Sequence, residues 1–310
     1  MKKILLSMTA AALLFGMATP IQAVSSKQDI EVLWNARKIS FPDAKPFQDD
    51  SDRVMVPIRF VSEALGAKVG WTKSGGRLSV SIKNNAHTVN MTVGQNTATI
   101  DGETKTYDTQ ILLKQNRTFV PLRLVSEGLG QPVEWDKLSR WVWIGSKDVP
   151  TLEESGLKPV SLDPYRKWFT DKPYLLENME EKPYEKAIVF KQSDLPATFV
   201  RDVYSIELYT DPKTTNTYLK VRAKTTSGAG NLYYLTKKKD IRYRNPMDSM
   251  TVNNGDGTKY CFYQIRSSAD KILHGIVDQK NLTIQDIEYI GFDGASTDYI
   301  PLMTNPWKGN

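Results

Sequence analysis

The sequence predicts two folded units in series: an α+β unit of duplicated strand–helix–strand segments on an antiparallel sheet, then an all-β sandwich or jelly roll. Three observations carry this. RVMVPIRFVSEALG at residues 53–66 is nearly repeated as RTFVPLRLVSEGLG at 117–130. Strand-like alternation surrounds both copies, as in RLSVSI and HTVNMTV. Beyond residue 187, short apolar runs recur between turn-rich pieces, with no helix-length amphipathic segment among them.

At the start, Lys2 and Lys3 precede an apolar run from Ile4 to Ala18, then Thr19-Pro20 and Ile21-Gln22-Ala23, the order of a signal peptide over residues 1–23. The run is shorter than the roughly 20 apolar residues of a spanning helix, so no stable membrane anchor is expected. The expected location is secreted and extracellular, either retained on the cell wall or released from it. The formal charge of +6 loses two units with the leader, and the remaining basic residues are spread along the chain. That distribution argues against a nucleic-acid partner, which calls for a basic face. Lys237-Lys238-Lys239, the dense exception, reads as a solvated hairpin end. Cys261 is the single cysteine and lies in the apolar run YCFYQI, so it reads as a buried, inert thiol with no disulfide partner in the chain.

Residues 53–71 and 117–135 agree at eleven of nineteen positions, the mark of a duplicated structural unit. Pro57 and Pro121 suit a first helical position and Gly66 and Gly130 a left-handed helix end. Between them Ile58, Val61 and Leu65, and likewise Leu122, Val125 and Leu129, recur at helical spacing and form one apolar face. Arg59 with Glu63, and Arg123 with Glu127, stand four apart and read as exposed surface pairs rather than as catalytic groups. Trp71 and Trp135 read as packing residues. Asp101-Gly102 between TATI and ETKTY predicts a tight hairpin.

The pattern V-P-[IL]-R-[FL]-[VL]-S-E-x-L-G, followed by V-x-W and a strand, resembles the copper amine oxidase-like N-terminal domain, a stalk domain often duplicated in exported proteins of Gram-positive bacteria. The resemblance covers about residues 30–146. It implies an α+β exported module that carries no copper, being an appendage of the oxidase and not its catalyst. The residues point the same way. A copper amine oxidase needs three imidazole ligands, and His87 and His274 are the only histidines. Each reads as a surface or satisfied histidine. No metal and no cofactor is expected.

The sequence thus divides into a leader at 1–23, a stalk-like unit at 24–146, a Pro-rich connector at 147–186 and a β-sandwich at 187–310. Pro150, Pro159, Pro164, Pro173 and Pro183 make regular structure sparse in the connector. The ending NLTIQDIEYIGFDG is weakly similar to the closing strands of galactose-binding-like jelly rolls, a fold that hosts many carbohydrate-binding modules.

In DIRYRN, Ile241 and Tyr243 share one strand face and Arg242 and Arg244 the other. In KYCFYQIR, Cys261, Tyr263 and Ile265 form the more apolar set, opposite Tyr260, Phe262, Gln264 and Arg266. If the two opposite sets share a sheet, Arg242, Arg244, Tyr260, Phe262, Gln264 and Arg266 form a platform for sugars or acidic wall polymers; the other reading is an ordinary outer face. Asn253–Thr258 has one acid, Asp256, and reads as a turn rather than a calcium loop.

No G-x-S-x-G, H-E-x-x-H or phosphate loop is present. The leading expectation is a non-catalytic envelope scaffold or adhesion protein. An alternative is a polysaccharide-binding module acting through the β-sandwich, and a third reading is a glycoside hydrolase with two carboxylates from distant positions. The expected partner is a cell-wall polymer or polysaccharide, or another envelope protein.

Overall fold

The computed structural model describes residues 29–178, 181–226, 229–268, 270, 282–295 and 297–309. The leader, His274 and the strand expected at HGIVD lie outside the described residues.

A hairpin of β1 (Glu31–Trp34) and β2 (Arg37–Lys38) leads to β3 (Phe47–Gln48), β4 (Val54–Pro57) and helix α1 (Ile58–Ala64). Five strands follow as a meander: β5 (Lys68–Ser74), β6 (Arg77–Lys83), β7 (Thr88–Thr92), β8 (Thr97–Ile100) and β9 (Glu103–Thr106). β10 (Leu112–Lys114), β11 (Arg117–Pro121), helix α2 (Leu122–Leu129), β12 (Val133–Asp136) and β13 (Trp141–Ile144) complete the unit. These strands form three sheets, β10-β11-β4-β3, β12-β13-β1-β2 and β5 to β9 in order. One core joins them, with Ile58, Val61 and Val125 of the helices packed against Val32, Val80, Ile82 and Val142.

Each repeated segment runs strand, helix, strand, and the first strands pair antiparallel with Val56 opposite Val120. The second strands part company. β5 opens the meander, whereas β12 pairs with β13 in a sheet where β13 runs parallel to β1. The expectation of both segments on one antiparallel sheet is therefore corrected: β6 follows β5 at once and takes it as partner, so only β4 and β11 remain together. Pro57 and Pro121 are also one residue off, closing β4 and β11 ahead of each helix rather than opening it. A strand end and a first helical turn both tolerate the missing N–H. Gly66 and Gly130 do adopt left-handed φ values of 74° and 65°. Asp101 (φ 51°) and Gly102 (φ 90°) form the tight turn between β8 and β9.

The second unit contains β14 (Val160–Ser161), the short helix α3 (Asp163–Arg166), β15 (Lys186–Phe190), β16 (Ala197–Thr198) and β17 (Asp202–Thr210). β18 (Thr217–Lys224), β19 (Leu232–Thr236), β20 (Ile241–Arg244) and β21 (Val252–Asn253) follow. β22 (Thr258–Gln264), β23 (Ile287–Phe292) and β24 (Tyr299–Thr304) complete it. A six-stranded sheet, β14-β15-β24-β23-β19-β20, and a five-stranded sheet, β16-β17-β18-β22-β21, share one core, in which Leu232, Tyr234 and Ile290 meet Leu219, Val221 and Tyr263. β24 is a strand that sequence reasoning passed over, because Pro301 reads as a breaker. Its ladder with β23 spans only Leu302–Thr304, so Pro301 is spared an antiparallel partner and lies beside Ile188 of β15 in a parallel pair.

The Pro-rich stretch is short of regular structure, but it is not merely a link. Leu162, Trp168, Phe169, Leu175 and Tyr184 are buried against Tyr233, Leu235, Ile241 and Ile300 as an outer layer on the six-stranded sheet. Trp168 Nε1 donates to the Thr236 carbonyl at 2.7 Å, and the Tyr184 hydroxyl donates to the Ala295 carbonyl at 2.8 Å.

Candidate functional site

The residues of the expected platform separate. β20 lies at the edge of the six-stranded sheet and β22 inside the five-stranded one, so Arg242 and Arg244 share no face with Tyr260, Phe262 and Gln264. The layer made by residues 162–184 explains the error. It covers the outer side of β20, where Ile241 and Tyr243 pack, and so turns both arginines toward the interior. Arg244 donates to the Gln264 carbonyl at 2.8 Å, to the Ile265 carbonyl at 2.9 Å and to both oxygens of Asp270, at 2.6 and 2.9 Å. Asp270 is fully buried, and Arg242 Nη1 stands 3.2 Å from its Oδ2, the oxygen that also accepts from Arg244 Nη2. Arg244 thus ties the end of one sheet to the other, with Arg242 buried beside it against Asp240 and Asp270. Both arginines are structural, and corrected as such.

On β22 the alternation holds. Cys261, Tyr263 and Ile265 enter the core, and burial pushes the Cys261 thiol up. Opposite them Phe262 packs edge-on against Tyr209 at 5.2 Å between ring centres, and the Lys220 ammonium sits 3.9 Å above the Tyr260 ring. Gln264 and Arg266 stand at the strand end, on the wall of a pocket of about 390 Å³ lined also by Thr210, Thr217, Leu282 and Thr283. Its lining mixes hydroxyl, amide and guanidinium groups with aliphatic surface and contains no carboxylate. Such a set can hold a polar, uncharged or anionic small group; it has nothing with which to shuttle a proton.

A second feature is the joint between the units. Arg222 of β18 is 2 % exposed although its strand neighbours read as a solvent-facing alternation. Its Nη1 donates to the Asp136 carboxylate at 2.5 Å and also to the Ser139 hydroxyl, both in the first unit. Nη2 donates to Asp256 at 2.7 Å, and the guanidinium lies 5.1 Å from the Tyr204 ring. Tyr204 in turn packs against Trp141 and Trp143 of β13, and its burial pushes the phenol up to about 12. Asp256, read from the sequence as a turn residue, is thus also a partner of the joint. Arg222 itself carried no local signal, since its partners lie more than thirty residues away.

In the first unit Arg59 and Glu63 pair at 2.9 Å on the surface, with the Arg59 guanidinium 5.2 Å from Trp71. Trp71 is 42 % exposed at the edge of a 290 Å³ cleft bounded by Ile58, Leu78, Leu113 and Thr118. Arg123 and Glu127 pair at 2.8 Å, and Glu127 also accepts from the Tyr107 hydroxyl at 3.1 Å, which together hold its carboxyl below the usual range. His87 Nδ1 stands 2.7 Å from Asp101, a satisfied histidine. Among the described residues no three His, Cys, Asp or Glu side chains gather into a metal-holding group.

Against known proteins, one region of this geometry has a match. Residues 33–144 match the family model of the copper amine oxidase N-terminal domain. That span runs from β1 through β13 and contains both repeated segments, so a copper amine oxidase N-terminal-like domain forms the first unit. No curated protein and no solved structure matches the chain.

Proposed function

We propose that the protein is an exported, non-catalytic scaffold or adhesion protein of the cell envelope, in which the copper amine oxidase N-terminal-like domain presents the β-sandwich as one rigid body. The observation that supports this most is the joint: a fully desolvated arginine with acidic partners on both units, flanked by Trp141, Trp143 and Tyr204. A flexible tether would leave the units to move independently, and inter-domain motion is the default where an interface is small. Mature protein and the separate pieces 24–146 and 147–310, the second keeping the layer at 162–184 that covers its sheet, would be incubated with isolated cell walls and with envelope proteins. Retention of the first piece, and of the whole chain, supports the scaffold. Retention of neither overturns it.

The second reading is carbohydrate binding by the β-sandwich, in the pocket at Gln264 and Arg266. The lining favours it over hydrolysis, because glycoside hydrolysis takes two carboxylates across the bond and the lining supplies none. Retention of 147–310 on insoluble polysaccharide, lost in Arg266→Ala, supports this reading; turnover of the polysaccharide by the parent protein argues instead for the enzyme.

A further inference from the structure

The meander β5 to β9 buries one face through Val80, Ile82, Val89, Met91 and Ala98. Its other face carries almost nothing but short uncharged polar side chains, and their register is regular. Ser81 lies opposite Asn90, Asn90 opposite Thr99, and Thr99 opposite Thr104, a rung that crosses four strands. A second rung runs from Thr72 to Ser79 to Thr92, and Thr97 pairs with Thr106 at the far side. Neighbouring strands stand roughly 4.8 Å apart and alternate residues roughly 6.8 Å along a strand, so the hydroxyls form a two-dimensional array. Four strand spacings give the array a length of roughly 19 Å.

The centre of this face is concave and encloses about 400 Å³. Ser79, Ser81, Asn90, Thr92, Thr97 and Thr99 contribute to its lining, and no ionisable side chain does. Cationic groups of the same face, Lys68, Lys83 and Arg77, stand only at the strand ends. At the start of the first rung Gly70 pairs with Ser81, and a Cβ there would come within 2.9 Å of the Ser81 hydroxyl; its absence leaves that hydroxyl open.

Strand propensity does not account for the pattern. Threonine favours strands, but asparagine is depleted from them and serine is not among the favoured types, and here they occupy the second and third strands. Cross-strand neighbours on an exposed sheet commonly pair opposite charges. The five-stranded sheet of the other unit does so, with Lys220 set 3.5 Å from Glu207. The meander instead offers hydroxyls and amides that both donate and accept, Ser79 and Thr92 also lying 3.3 Å from each other, together with threonine methyls. A charged ligand would find no counter-charge in the concavity. A ligand rich in hydroxyls and bearing no charge would find a partner at every step, each contact weak and the row of them additive along a chain.

We propose that this face binds a neutral polyhydroxyl polymer, a glycan strand lying across β5 to β9 with its hydroxyls on the two rungs. This site is separate from the pocket at Gln264 and Arg266, and it goes beyond the scaffold reading by giving the first unit a ligand of its own.

The test uses the full mature chain, with linear hexamers of β-1,4-linked glucose and of β-1,4-linked N-acetylglucosamine as probes. Backbone amide shifts and calorimetry are recorded for the parent, for Asn90→Val with Thr99→Val, and for Ser81→Lys. The expected result is fast-exchange shifts confined to β6, β7 and β8 with at least one hexamer, weakened tenfold or more in both variants while their thermal midpoints stay within a few degrees of the parent. Val252→Ala, at an exposed position of the other unit outside both pockets, should bind as the parent does. Silence with both hexamers, equal affinity in a folded variant, or shifts that map to the Gln264 pocket overturns the proposal. If the valine pair unfolds, Ser81→Lys at an exposed position decides alone.

Discussion

Arg222 and Asp136 meet at 2.5 Å across the boundary between the two units, and Asp136 is where the two copies of the repeated segment diverge in use. Both copies end in V-x-W; the next residue is Thr72 in the first and Asp136 in the second. The two copies part company in their second strands, and the residue after the tryptophan is an anchor in the second copy alone. Thr72 instead joins the uncharged face of the meander.

Replacing Arg222 by alanine should be costly. Removing one partner of a buried ion pair leaves the other uncompensated, which typically costs about 3–5 kcal/mol. Here the burden falls on Asp136, 11 % exposed, and on the Ser139 hydroxyl, while Asp256 is 40 % exposed and keeps Thr258, so the lower end of that range is expected. Calorimetric unfolding is expected to resolve two transitions in place of one, with faster proteolysis between residues 145 and 151. A single transition at the parent midpoint contradicts the rigid-body reading.

The joint should also loosen in acid. Burial pushes the Asp256 carboxyl up, but the Thr258 hydroxyl and amide and the Arg222 guanidinium outweigh it and hold the group below the usual carboxylate range. A depressed folded value contributes stability that is complete above the unfolded value, about 3.9, and is lost as pH falls through the folded one. Midpoint temperature measured from pH 6 down to pH 2 should therefore fall below about pH 4. Asp256→Asn should lower the midpoint at pH 6 and flatten that fall; a parallel curve means the group contributes nothing.

What the sequence disclosed follows the range of the interactions. The helix faces of the repeats, the Asp101-Gly102 turn and the alternation in β22 are written in neighbouring residues, and all are legible. Arg222, by contrast, sits in TYLKVRAKT as if facing water, and it is buried between Asp136 and Ser139 of the other unit and Tyr204, Asp256 and Thr258 of its own. For Arg242 and Arg244 the failure is of the same kind. Alternation assigned them a face correctly, but which face is outside depends on the layer at 162–184; Tyr165, Trp168 and Phe169 read from the sequence as residues that could pin the connector to a neighbour, but not to which one. The meander's hydroxyl rungs need the register of five strands before they become visible, so no single strand announces them.

The two motif glycines should respond differently to alanine. Both hold left-handed φ, a conformation that costs a residue with a Cβ about 1–2 kcal/mol. At Gly66 the added methyl meets nothing within 4 Å, so the conformational cost stands alone. At Gly130 it lands 2.5 Å from His87 Nε2, whose ring must move and strain the bond to Asp101. Chemical unfolding should show Gly130→Ala as the more damaging by about 1 kcal/mol or more. Equal losses mean that the imidazole yields freely.

Arg244 and Arg266 were paired by the sequence as ligand-binding groups and should now separate. Arg244 is 3 % exposed and engaged with Asp270 and the Tyr243, Gln264 and Ile265 carbonyls, so Arg244→Ala removes both of its hydrogen bonds to a buried carboxylate and should cost about 3 kcal/mol. Arg266 is exposed on the pocket wall, where substitution should leave stability within about 0.5 kcal/mol. Urea unfolding of both variants, together with retention on insoluble polysaccharide, distinguishes framework from contact. If Arg244→Ala keeps parental stability yet loses retention, the guanidinium reaches the ligand after all, and the interior role assigned to it is wrong.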